Sequence, residues 1–170
     1  MEPKMAKKVT DKDTKQTTKA TSENIMNSDQ MKEHLDNLVD MAKKATERAY
    51  APYSRFSVGA AIALDNGEIV TGSNQENVAY PSGLCAERTA CFYAHSRFPE
   101  ARFEAVAIAA RGTDGKFTSE PTAPCGACRQ ALLEYEMLAG HDVRIYLAAA
   151  DKVLALPSVK STLPLAFTDF

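Results

Sequence analysis

The chain has 170 residues, 45% of them hydrophobic, and a formal net charge of −2. That is enough apolar material for one well-buried domain, while the balance of charge, with no basic cluster in the apolar portion, argues against a nucleic-acid partner. No stretch approaches the roughly 20 apolar residues of a membrane span, and the N-terminus lacks a secretory core. The four cysteines are therefore expected as thiols in a reducing cytoplasm.

Residues 1–25 are rich in Lys and Thr, with six lysines against four acids and no apolar period. Such a segment cannot bury enough surface to offset its ordering entropy, so a disordered tail is expected, followed by one domain over 26–170. From Asp29 onward, Met31, Leu35, Leu38, Val39, Ala42 and Ala45 recur at helical spacing, and Pro52 sets a limit to that helix. "FSVGAAIAL" and "EIVTGS" flank Asp65-Asn66-Gly67, a strong hairpin signal.

A second helix is predicted from Ala86 to about Ser96. Phe103–Ala110 is a continuous apolar run suited to a strand buried on both faces. After a polar loop, Cys125 to about Leu138 forms a third helix. A strand over Asp142–Ala149 follows, then a weak one near Val153. The order α-β-β-α-β-α-β-β implies one mixed, roughly five-stranded sheet in a three-layer α/β/α arrangement.

The cysteines carry the chemistry. Cys125 and Cys128 lie at i, i+3 at the start of a helix, one turn apart on one face, and Cys85 opens the preceding helix. Two helix N-termini, each favouring a nearby anion, could thus converge on one metal. Cys91 falls about 240° around the helix from Cys85, which suits a core thiol better than a fourth ligand. Three protein ligands leave a coordination position for water, the pattern of a catalytic rather than a structural zinc. Glu87, in the first turn, leans back toward Cys85 and can serve as a proton shuttle without ligating the metal. A thiol-redox module built on Cys-x-x-Cys remains the alternative, and it would leave Glu87 without a task.

"CAERTA" (85–90) with "PCGACRQ" (124–130) resembles the small, homotetrameric cytidine deaminases. "YAPYSRFSVGAA", "NQENVAYPSGL" and the closing "LPLAF" extend the resemblance over nearly everything after the tail. Residue by residue, it implies Zn2+ held by Cys85, Cys125 and Cys128, with Glu87 as proton shuttle and Arg88 withdrawing charge from the thiolates. It also implies a nucleoside pocket. Asn74 and Glu76 take the sugar hydroxyls, Tyr80 lines their wall, Phe56 and Ala86 belong to the substrate site, and Phe167 reaches into a neighbouring subunit's site. The activity implied is hydrolysis of cytidine and deoxycytidine to uridine and deoxyuridine. Deamination of another cytosine-bearing small molecule, such as blasticidin S, is the sibling reading. Gln75 stands where the family more often has an aliphatic residue.

Overall fold

The computed structural model describes residues 28–168. The tail expected over residues 1–25 lies outside the described residues. Of these, residues 28–33 fall in one unit and 34–168 in another. Helix α1 (Ser28–Ala45) begins in the first unit, while the sheet and the four cysteines belong to the second.

Five strands form one sheet. β1 (Ser57–Leu64) pairs antiparallel with β2 (Ile69–Ser73) through the predicted turn. Gly67 there takes φ 86, and its N–H donates to the Leu64 carbonyl at 3.0 Å. β3 (Phe103–Arg111) runs antiparallel to β1 and parallel to β4 (Arg144–Ala148), while β5 (Val153–Leu156) closes the other edge. The sheet is mixed, as its element order requires.

Strand alternation sorts two cores. Ala60, Ile62, Leu64, Val106 and Ile108 face α2 (Ala86–Arg97) and α3 (Gly126–Ala139), where Leu132, Leu133 and Cys91 complete the larger core. Ala61, Ala63, Ala105, Ala107 and Ala109 face the other way, and Leu38, Val39 and Ala42 of α1 pack on them. The architecture is therefore three-layer α/β/α.

Two glycines set how closely helices approach the sheet. A Cβ at Gly59 would lie 2.2 Å from the Ala42 carbonyl oxygen of α1. A Cβ at Gly72 would lie 2.5 Å from the Ala90 nitrogen and 2.7 Å from the Ala86 oxygen of α2. Only a residue without a side chain lets β2 carry the first turns of α2 at this distance.

α1 ends earlier than Pro52 alone would dictate. Beyond Ala45 the chain tightens into a 3₁₀ turn over Thr46–Arg48. The Thr46 hydroxyl donates back to the Lys43 carbonyl at 2.6 Å and accepts from Arg111 Nε at 2.8 Å, offering the backbone a competing arrangement.

Candidate metal centre and nucleoside pocket

Cys85 and Cys125 are the N-cap residues of α2 and α3, each in extended conformation (ψ 156 and 164) with no side-chain capping bond. Their sulfurs are thus left to point at each other across the junction of two helix starts. Cys85 Sγ lies 3.8 Å from Cys125 Sγ, and Cys125 Sγ lies 3.4 Å from Cys128 Sγ. All three fall within 4.8 Å of one another.

Zinc–sulfur bonds of about 2.3 Å at tetrahedral angles place ligand sulfurs about 3.8 Å apart, so this triad fits the ion with little adjustment. Cys91 is fully buried, its thiol donates to the Arg88 carbonyl at 3.6 Å, and burial pushes its pKa up to about 12. It packs in the core, away from the triad.

The electrostatics favour thiolate at Cys85. Hydrogen bonding from Cys128, and then from Arg88 and Cys125, lowers the pKa of Cys85 to about 5 against the opposing effect of burial. Cys128, the donor in that pair, is pushed upward. Arg88 Nη2 donates to Cys85 Sγ at 3.9 Å, while its buried Nε has no partner among the described residues. The guanidinium thus stands against the sulfur of Cys85.

Glu87, only 4% exposed, sits in the first turn of α2 among these thiols. Burial raises its pKa above the ordinary carboxylate range, and the charge on Cys85 adds to that. A carboxyl group in this position holds a proton more firmly than a solvated one would.

Beside the triad lies a cavity of about 500 Å³, whose lining includes Tyr53, Ser54, Asn74, Glu76, Tyr80, Cys85 and Arg88. The sugar-side and metal-side residues are joined through the backbone. Gln75 and Leu84 exchange N–H···O bonds of 2.8 and 2.9 Å, which places Asn74 and Glu76 next to Cys85. Gln75 itself is accommodated by donating to Ser73 Oγ at 3.1 Å and to the Arg48 carbonyl at 3.4 Å.

Asn74 Oδ1 accepts from the Val58 N–H at 2.8 Å, and its Nδ2 donates to the Phe56 carbonyl at 2.9 Å. One donor and one lone pair of the amide remain for a ligand. Glu76 accepts from the Tyr53 and Ser54 N–H groups at 2.9 and 3.2 Å and from the Ser54 hydroxyl. The Ser54 hydroxyl is the largest cause of its lowered pKa. Tyr80 is exposed and its ring stands 5.8 Å from that of Tyr53 at the rim.

Phe56, Ala86 and Phe167 are not part of this cavity's lining. Phe56 is half-buried at the entry to β1, Ala86 is buried at the first position of α2, and Phe167 is exposed. Three residues of α3 that sequence reasoning passed over fasten the C-terminal segment. Arg129 donates to the Pro124 and Thr162 carbonyls, Gln130 bonds the Phe167 backbone, and buried Glu136 accepts from Val143, Val159 and Lys160 N–H groups. Glu136 had a readable signal, since it continues the buried stripe of Leu132 and Leu133.

Residues 32–139 match the family described as the cytidine and deoxycytidylate deaminase zinc-binding region. The chain belongs to that family. It is 43% identical over 131 residues to the cytidine deaminase of Halalkalibacterium halodurans, covering 77% of this chain and 92% of the relative. The cytidine deaminase of Sporosarcina psychrophila is 40% identical, covering 79% and 91%. Among solved structures, cytidine deaminase from Burkholderia pseudomallei superposes with a TM-score of 0.65 at 37% identity, covering 78% of this chain and 98% of that one. Cytidine deaminase from Mycobacterium tuberculosis gives 0.62 at 36%, covering 79% and 97%.

Proposed function

We propose that the site takes free cytidine and deoxycytidine and releases uridine, deoxyuridine and ammonia, as in pyrimidine salvage. Family and relatives support cytidine deamination itself. The observation that carries the residue assignment is the meeting of three thiols with a buried carboxylate beside a cavity with polar walls.

Zinc, when held by Cys85, Cys125 and Cys128, supplies the Lewis acid that makes water nucleophilic near neutral pH. Glu87 takes the proton from the attacking water, delivers it to N3 of the cytosine ring, and serves the departing amine in turn. Its burial among thiols suits a group that must both accept and donate. Arg88 offsets the negative charge of the thiolates. Asn74 and Glu76 orient the nucleoside through its sugar hydroxyls, with Tyr80 beside them and Phe56 and Ala86 toward the base.

The working form is a homotetramer in which Phe167 completes a neighbour's pocket. What supports this is the exposed apolar surface on one small chain: Phe92, Tyr93, Met137, Leu165 and Phe167 all face solvent. Free thiols at all four cysteines suit the cytoplasm. Among the described residues no helix is long and apolar enough to cross a membrane.

The test monitors the cytosine-to-uracil absorbance change with cytidine, deoxycytidine and blasticidin S in parallel. Turnover of both nucleosides, with blasticidin S left intact, is expected. Preference for blasticidin S, or no nucleoside turnover by zinc-loaded protein, would overturn the proposal.

A further inference from the structure

We propose that Ser54 is a positioning residue for sugar recognition, its hydroxyl fixing the one face of Glu76 that remains open to a nucleoside. This rests on the reading of Glu76 as a sugar-binding carboxylate.

The argument is one of hydrogen-bond capacity. Glu76 is anchored by its own N–H, which donates to the Tyr50 carbonyl at 2.8 Å. Each carboxylate oxygen has two lone pairs. Oε2 is filled by two backbone donors, the Tyr53 and Ser54 N–H groups. Among the described residues Oε1 takes only the Ser54 hydroxyl, so one lone pair is left for an incoming hydroxyl group. The Ser54 hydroxyl has a single proton, and its oxygen already accepts from the Phe56 N–H at 3.1 Å. That second bond orients the hydroxyl so that its proton goes to Glu76.

The loop carrying Ser54 is shaped for this contact. Arg55, the next residue, adopts φ 55, a left-handed conformation that arginine seldom takes. Its N–H closes the turn onto the Ala51 carbonyl at 3.0 Å. Strained backbone of this kind persists where surrounding contacts over-determine it. Here those contacts are Ser54 with Glu76 on one side and with Phe56 on the other. Ser54, Glu76 and Cys85 all line the same cavity. The serine thus links the two residues assigned to sugar and base while leaving the metal triad untouched.

The experiment compares kcat/KM for cytidine and for 2′,3′-dideoxycytidine, which lacks both hydroxyls, in the zinc-loaded wild type, Ser54→Ala, Ser54→Thr and Glu76→Gln. Ser54→Ala is expected to lose about tenfold on cytidine, mainly through KM, the size of one lost bond to a charged group. The dideoxynucleoside should change little, and Ser54→Thr should recover most of the loss. Equal loss on both substrates in Ser54→Ala, or no loss on either, would overturn the role of Ser54. A Glu76→Gln variant that penalises both substrates equally would instead sink the sugar reading on which it rests.

Discussion

Gln130 grips the backbone of Phe167 from both sides: its Nε2 donates to the Phe167 carbonyl at 2.8 Å, and its Oε1 accepts the Phe167 N–H at 3.4 Å. Gln130 lies two residues beyond Cys128 on α3, so the helix that presents two of the three thiols also holds the Phe167 backbone. Gln130→Ala should free the end of the chain without disturbing the triad. The expected result is a KM for cytidine raised about three- to tenfold, as for the loss of one or two partly exposed hydrogen bonds, with zinc content unchanged. Phe167→Ala should do the same, and the double variant should be no worse than Phe167→Ala alone. Additive effects would mean that Gln130 acts elsewhere.

Glu87→Gln keeps the size of the side chain and removes its ability to carry a proton. Turnover should fall by at least the roughly 10² to 10⁴ typical of general acid–base catalysis, with zinc and thermal stability retained. Steady-state rates on metal-quantified protein check this, and a near-normal rate would remove Glu87 from the mechanism.

The two close-approach glycines separate stability from the site. Gly59→Ala drives a methyl group into the α1 backbone, and Gly72→Ala drives one into α2. Each should cost about 1–3 kcal/mol of stability as overpacking. Only Gly72→Ala should also lower zinc affinity, because α2 carries Cys85 and Glu87. Thermal melts paired with metal titration distinguish the two, and equal metal affinity in both variants would show that the α2–β2 approach does not set the site.

Much of the fold was legible in the residues themselves. The Asn66-Gly67 turn, the alternation along β1 and the apolar run of β3 announced the sheet, because each rests on local chemistry that tertiary packing did not override. The thiol triad was legible because helix periodicity set Cys91 apart from Cys85, and its burial in the core bears that out. What the sequence could not show was long-range: the Thr46–Arg111 bond that shortens α1, the grip of Glu76 on residues 53 and 54, and the three α3 side chains that hold the chain's end. Those partners lie 22 to 65 residues apart, and periodicity, which marks Glu136 as buried, names none of them.

Glu136 offers a test of that hidden fastening. Its buried carboxylate accepts three backbone N–H groups, two at Oε2 and one at Oε1. In Glu136→Gln one oxygen becomes a donor facing a donor. A loss of about 1–3 kcal/mol is expected, read as a fall in Tm of several degrees. An unchanged Tm would mean that these contacts are made equally well by an amide.

X-ray absorption at the zinc edge of the purified protein tests the central claim most directly. Three sulfur neighbours at about 2.3 Å plus one lighter atom are expected, the pattern of a catalytic site with a position open to water. The same spectrum is expected from Cys91→Ala. Four sulfur neighbours in the wild type, falling to three in Cys91→Ala, would contradict the account by making this a closed structural site.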